Sequence, residues 1–203
     1  MRAWIYNQFL VPMTRRWYAA VLARLPDGAR LLDVGIGTAG AVVANATTVR
    51  DHNLHIVGVD IDADYLKQAR KSLEKAGLSS QVELWHEPIE AHQPAAPYDA
   101  IYFGASFMLM PDPSGVLRQV TRMLAPGGNV FFTQTFQEKR SPLLEKAKPM
   151  LHRVTTVQFG RVTYEGPFLD TVADAGYRIV ENERLGKNRT QSFRLVVAQP
   201  PEA

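Results

Sequence analysis

The chain contains no cysteine, which removes disulfides, thiolate metal sites and a cysteine nucleophile, while saying little about redox compartment. No apolar run approaches the roughly 20 residues that span a bilayer, and Arg15 and Arg16 interrupt the aromatic N-terminus too early for a signal peptide. A soluble, cytoplasmic protein is expected. Large charge of one sign is also lacking: the net charge is +3, with basic residues spread over Arg15-Arg16, Lys139-Arg140 and residues 146–153 and 184–194. That spread reads as solvated faces rather than a nucleic-acid track, though the mild basic balance leaves a nucleic-acid acceptor open. Repeats, low-complexity tracts and long linkers are missing as well.

What remains is 203 residues, 46% of them hydrophobic, enough for one domain with a substantial core. Strand and helix signals alternate. Residues 29–34, 55–60, 81–85, 98–103 and 129–135 read as strands. Residues 39–49 read as a small-residue helix. Asp62 caps a further helix with Tyr65, Leu66, Ala69 and Leu73 on one face, stopped at Gly77. Residues 113–124 form another, ended by Ala125-Pro126-Gly127-Gly128. Such alternation implies a parallel sheet covered on both faces. The C-terminus breaks the rhythm: after a helix over 168–175, residues 177–183 and 191–198 are strands joined by about seven residues, too few for a helical crossover, so they pair antiparallel.

Leu31-Leu32-Asp33-Val34-Gly35-Ile36-Gly37-Thr38-Ala39-Gly40 is the most informative stretch. A buried strand carrying an acid runs into closely spaced glycines, where backbone can approach a ligand. Twenty positions after Gly40, Asp60 ends the second strand, and a carboxylate there can accept both hydroxyls of a ribose. These features fit two cofactors. Gly35-x-Gly37-x-x-Gly40 satisfies a dinucleotide fingerprint, giving a nicotinamide-dependent oxidoreductase as one reading, but that reading offers no reason for Asp33 or for the terminal hairpin. A noncatalytic cofactor-binding domain that serves another chain is a further possibility.

Four motifs in order resemble the class I S-adenosylmethionine-dependent methyltransferases: Leu31-Asp33-Gly35-Gly37-Thr38, Val57-Gly58-Val59-Asp60-Ile61-Asp62, Tyr98-Asp99-Ala100-Ile101 and Leu124-Ala125-Pro126-Gly127-Gly128. The resemblance covers residues 29–198. It implies an α/β, Rossmann-like three-layer sandwich with a mostly parallel seven-stranded sheet ending in an antiparallel hairpin. It also implies S-adenosyl-L-methionine as cofactor and S-adenosyl-L-homocysteine as product. Within it, Gly35, Gly37 and Thr38 form the loop under the nucleoside, Asp33 faces the methionine ammonium, Asp60 takes the ribose and Ile61 packs on adenine. His86 or Glu87 meets the adenine amino group, although the family's Gly-Asp-Ala pattern is absent there, and Gly104 offers its carbonyl to the cofactor's amino group. The Asn-Pro-Pro-Tyr type of sequence and an acidic metal-ligand cluster are both missing, which points to a small-molecule acceptor and no metal.

The resemblance divides the chain into a helical lid over 1–28, a cofactor core over 29–135, a cap insert over 136–166 and a C-terminal helix and hairpin over 167–203. Acceptor contacts are expected from Tyr6, Tyr18, Phe107, Arg161 and Tyr164, and His152 is the candidate general base. Tyr18 and Phe107 fit core positions equally well. Acceptor identity and oligomeric state are not encoded in these motifs.

Overall fold

Adjacent residues along the central strands fall into two different apolar layers, because successive side chains of a strand point to opposite faces. Leu31, Ile56, Tyr102 and Phe131 belong to one layer, and Leu32, Val57, Phe103 and Phe132 to the other. The computed structural model describes residues 11–138 and 163–201. In chain order these form α1 (Val11–Leu22), β1 (Arg30–Val34), α2 (Gly40–Val43), α3 (Ala46–Asp51), β2 (His55–Asp60), α4 (Ala63–Lys75), β3 (Val82–His86), β4 (Tyr98–Gly104), α5 (Pro113–Thr121), β5 (Leu124–Gln137), α6 (Glu165–Asp174), β6 (Arg178–Lys187) and β7 (Gln191–Gln199).

The seven strands form one sheet in the order β3-β2-β1-β4-β5-β7-β6. The first five are parallel, and β7 runs antiparallel to both β5 and β6. The fold is therefore the expected α/β Rossmann-like sandwich with its terminal hairpin. From β1 the chain winds outward to β3 and then crosses back to place β4 on the other side of β1. That reversal opens a crevice outside the carboxyl ends of β1 and β4, where open α/β sheets bind ligands.

One layer is built by α1, α2, α3 and α4, which contribute Tyr18, Val42, Val49 and Leu66. Trp17, Tyr18, Val21 and Leu22 put one stripe of α1 onto the sheet, leaving Arg15 and Arg16 in solvent. Arg24, just beyond the helix, donates to both Glu181 and Glu183 on β6 and so ties this layer to the far sheet edge. The opposite layer holds α5, α6 and an aromatic group. Phe107 lies edge-on to Phe103, Phe132 and Phe168 with centroids 4.9–5.7 Å apart, and each such pair adds roughly 0.5–1.5 kcal/mol beyond its buried area.

Three expected boundaries differ. The helix expected over 39–49 is divided into α2 and α3, because the Asn45 side chain donates to the carbonyls of Ala41 (2.8 Å) and Arg15 (3.1 Å) instead of continuing the turn. Helix α5 ends at Thr121. Leu124 already pairs with Tyr98, and Pro126-Gly127-Gly128 bulges out before Asn129 pairs with Ala100. The hairpin loop is three residues rather than about seven: Asn188 Oδ1 accepts from the amides of Thr190 (2.9 Å) and Gln191 (2.8 Å), closing the turn early.

Candidate active site

At the carboxyl end of β1, Asp33 shares a face with Leu31 and points into the layer roofed by α1. It is 4% exposed. Burial is the largest influence on its carboxyl and pushes its pKa from 3.8 up to about 7; the Tyr18 hydroxyl draws it back down, and the charge of Asp60 raises it further. The Tyr18 hydroxyl is itself buried without a well-formed hydrogen bond. Desolvation, and after it the proximity of Asp33, hold that phenol well above its ordinary range. Asp33 is thus a carboxylate in a dry place with poor compensation, a costly arrangement that a cationic partner relieves.

The loop after Asp33 is shaped for close approach. Gly35 has φ +82°, and a Cβ on it would lie 2.9 Å from Ser106 Cβ, so both the backbone and the packing require glycine. Ser106 Oγ donates to the Val34 carbonyl at 2.5 Å, fastening the bend after β4 to the end of β1. Gly37 has φ +60°, and its amide donates to Asp60 Oδ2 at 2.8 Å while the Asp62 amide donates to Oδ1 at 2.9 Å. Asp60 therefore braces the glycine loop against the end of β2, with lone pairs left on both oxygens. Gly40 lies within α2, and the left-handed position falls on Ala39, at φ +55°. Thr38 lies half-buried between them.

Beyond Asp60, Ile61 is 70% exposed, an apolar side chain displayed at the rim of the crevice. His86 pairs with Asp60 in the sheet register, and its Nε2 lies 3.1 Å from the Ile61 carbonyl. Glu87 is drawn toward His92, with Oε1 2.7 Å from Nδ1. Gly104 ends β4, and a Cβ there would meet the Tyr102 hydroxyl at 3.0 Å. That hydroxyl bonds Thr133 Oγ1 at 2.6 Å. Asp33, Gly35, Gly37, Asp60, Ile61, His86, Glu87 and Gly104 thus gather along the carboxyl ends of β1, β2, β3 and β4.

The acceptor residues fare differently. Phe107 is 1% exposed within the aromatic layer, and the half-buried Met108 and Met110 and the 40% exposed Leu109 follow it after β4. Tyr18 is buried as well. It packs edge-on to Tyr102 at 5.4 Å, leaving only its hydroxyl beside Asp33. Tyr164 precedes α6 as its N-cap residue. Tyr6, His152 and Arg161 lie outside the described residues, as does most of the cap insert.

Sequence reasoning passed over Ser106, signalled only by a run of small residues after β4, and His92, whose partners are set by the fold. A groove of about 530 Å³ opens between His92 and α5, lined in part by Glu90, Arg118 and Arg122. It contains none of the glycine loop and is separate from the site above.

Fold and strand order together give an open α/β sheet with a crevice at its switch point. Residues 31–128 match the methyltransferase domain family. Over that stretch the chain is similar to S-adenosylmethionine-dependent methyltransferases. It is 35% identical over 135 residues to a trans-aconitate 2-methyltransferase of Azoarcus sp., a stretch covering 63% of this chain and 49% of that protein. The chain spans about half the length of several curated relatives it matches. Among solved structures, the cyclase SpnF superimposes with TM-score 0.75 at 18% identity, covering 93% of this chain and 81% of its own. A methyltransferase of Thiobacillus denitrificans in complex with S-adenosyl-L-homocysteine gives TM-score 0.68 at 16% identity, covering 92% and 90%. No helix among the described residues is long and apolar enough to cross a membrane.

Proposed function

We propose that this protein binds S-adenosyl-L-methionine along the carboxyl ends of β1 to β4 and transfers its methyl group to a small organic acceptor. The observation that carries the reading is Asp33: a nearly buried carboxylate beside glycine backbone, short of donors, and raised in pKa by its surroundings. A ligand bearing an ammonium supplies the missing positive charge. A dinucleotide would bring its pyrophosphate to the same loop, where the Asp33 carboxylate repels it. Helix α2, four residues long, is also a poor anion site, since the partial charge of a helix terminus builds up over several turns.

These residues fit the cofactor as a set. Asp33 would hold the ammonium, the loop Gly35-Ile36-Gly37-Thr38 would lie under the nucleoside, Asp60 would accept from the ribose, and Ile61 would cover one adenine face. Glu87, with His86 beside it, would meet the adenine amine. The bound cofactor supplies an activated sulfonium methyl. What the chain contributes is placement and dryness: rigid backbone at Gly35 and Gly37, and the apolar lip Met108-Leu109-Met110, which excludes water beside the crevice and favours an acceptor with an apolar portion. Where the acceptor must lose a proton, His152 is the proposed base, with Arg161, Tyr164 and Tyr6 as acceptor contacts from the cap and lid. The lid, core, cap and hairpin divisions set out from sequence are part of the same proposal.

The test is calorimetric titration with S-adenosyl-L-methionine, S-adenosyl-L-homocysteine and NAD. Binding of the first two but not of NAD is expected, and binding of NAD alone would overturn the reading. Incubation of a metabolite library with methyl-labelled cofactor then identifies the acceptor.

A further inference from the structure

Glu87, just after β3, is part of a chain of side chains. Its Oε1 lies 2.7 Å from His92 Nδ1, and His92 Nε2 lies 2.8 Å from the Tyr98 hydroxyl. His92 is 4% exposed, and its side chain is far more buried than that of Glu87, which keeps 26%. The Tyr98 ring stacks near the imidazole at 6.1 Å, Trp85 stands edge-on at 6.3 Å, and the Arg30 guanidinium lies 5.0 Å over the Tyr98 ring. The imidazole is therefore held on several sides.

For a neutral imidazole beside an ionised glutamate the hydrogen bonds have a defined direction. An ionised carboxylate only accepts, so Nδ1 carries the proton and donates to Glu87; Nε2 of the neutral ring then accepts from the Tyr98 hydroxyl. Burial raises the Tyr98 phenol, keeping it a donor. Every polar atom of His92 is satisfied in this arrangement, but only one oxygen of Glu87 is used. Its Oε2 has no partner among the described residues. Glu87 directly follows His86, which pairs with Asp60 and touches the Ile61 carbonyl, so its backbone continues from the same strand ends as the proposed adenine platform.

Resting on the cofactor reading above, we infer that His92 is a positioning residue for adenine recognition: it clamps one oxygen of Glu87 and leaves the other as a prepaid acceptor for the exocyclic amine. A free glutamate on a loop must give up several rotatable bonds on binding, and the clamp removes much of that loss in advance. His92 does this without touching the cofactor. Its contribution concerns one functional group of the ligand, which distinguishes it from general support of the fold.

The experiment compares calorimetric affinities for S-adenosyl-L-homocysteine and for its analogue with hydrogen in place of the exocyclic amine. Wild type should prefer the amine-bearing ligand. His92→Phe should weaken S-adenosyl-L-homocysteine about tenfold and leave the analogue within about twofold, because only the amine contact loses its fixed acceptor. His92→Gln, which retains a donor for Glu87 and an acceptor for Tyr98, should stay within about threefold of wild type for both ligands. If His92→Phe does not fold, Tyr98→Phe replaces it, with a smaller loss of about two- to fivefold confined to the amine-bearing ligand. Equal weakening of both ligands, or undiminished preference in the variant, overturns the inference while the cofactor reading stands. A wild-type protein that binds neither ligand overturns that reading and the inference with it.

Discussion

Asp33 and His92 are each 4% exposed, yet the protein treats them in opposite ways. His92 has a partner for each ring nitrogen, and the groups around it form a closed sequence of donors and acceptors. Asp33 has a badly aligned tyrosine hydroxyl, a second carboxylate that repels it, and a pKa displaced to about 7. A satisfied buried group stabilises its surroundings, whereas an unsatisfied one is a standing cost kept where a ligand completes it. Burial alone would not separate the two. Partner geometry does.

The largest expected effect breaks this contrast at Asp33. Its carboxyl titrates near 3.8 when unfolded and about 7 when folded, so between these values the native state binds more protons, and stability falls as pH rises through that window. At about 1.4 kcal/mol for each pH unit of displacement, the full cost by pH 8 is up to about 4 kcal/mol. Asp33→Asn should therefore stabilise the protein at pH 8 by about 2–4 kcal/mol in denaturant melts, with little gain at pH 4, while weakening cofactor binding by at least about tenfold. A variant that loses stability at pH 8 would show that Asp33 is better satisfied than described.

Proton linkage sharpens the same point without mutation. If the ligand ammonium pairs with ionised Asp33, affinity should rise with pH from about 5.5 and level off above about 7.5. Binding should also release a proton, seen calorimetrically as a dependence of the heat on buffer ionisation. Affinity independent of pH over this range would separate Asp33 from ligand binding.

Asp60→Ala should weaken cofactor binding by about 1.5–3 kcal/mol, the range for hydrogen bonds to a charged group, and should lower the Asp33 pKa by removing its repulsive neighbour. Carboxyl chemical shifts would follow that pKa directly. At the satisfied pole, Tyr98→Phe should cost about 1–3 kcal/mol of stability by leaving His92 Nε2 unpaired, an effect read in urea melts. The smallest effect is expected from Ile61→Ser: about 1 kcal/mol of affinity lost, and stability unchanged because the side chain is already in solvent.

The strands were readable because their signals are local. Residues 55–60 hold a short apolar run and end as expected, and every other strand core lies where its apolar run falls. The placement of Asp33, Gly35, Gly37 and Asp60 at neighbouring strand ends was legible because a tight turn after a buried strand needs glycine and the second strand's apolar run stops at Asp60. Features set by distant partners were not. Asn45 breaks a good helix because Arg15 offers it a carbonyl, and Phe107 is core because Phe132 and Phe168 surround it. The importance of His92 depends on Glu87 and Tyr98 converging from two sides of a loop. The third glycine of the motif also misled, since the left-handed backbone belongs to Ala39 and not to Gly40.

Among the described residues β1 comes first in the chain of the seven strands and yet lies inside the sheet, between β2 and β4. One of its edges can close as soon as residues 55–60 exist, but the other waits for residues 98–104, about 65 positions later in the chain. Until then Leu31, Leu32 and Val34 present an apolar strand with unmet hydrogen bonds, the kind of edge that recruits other chains. During synthesis this places the greatest aggregation hazard in the window before β4 emerges. Fragments ending before Tyr98 should collect in inclusion bodies, and fragments reaching past β5 should regain solubility.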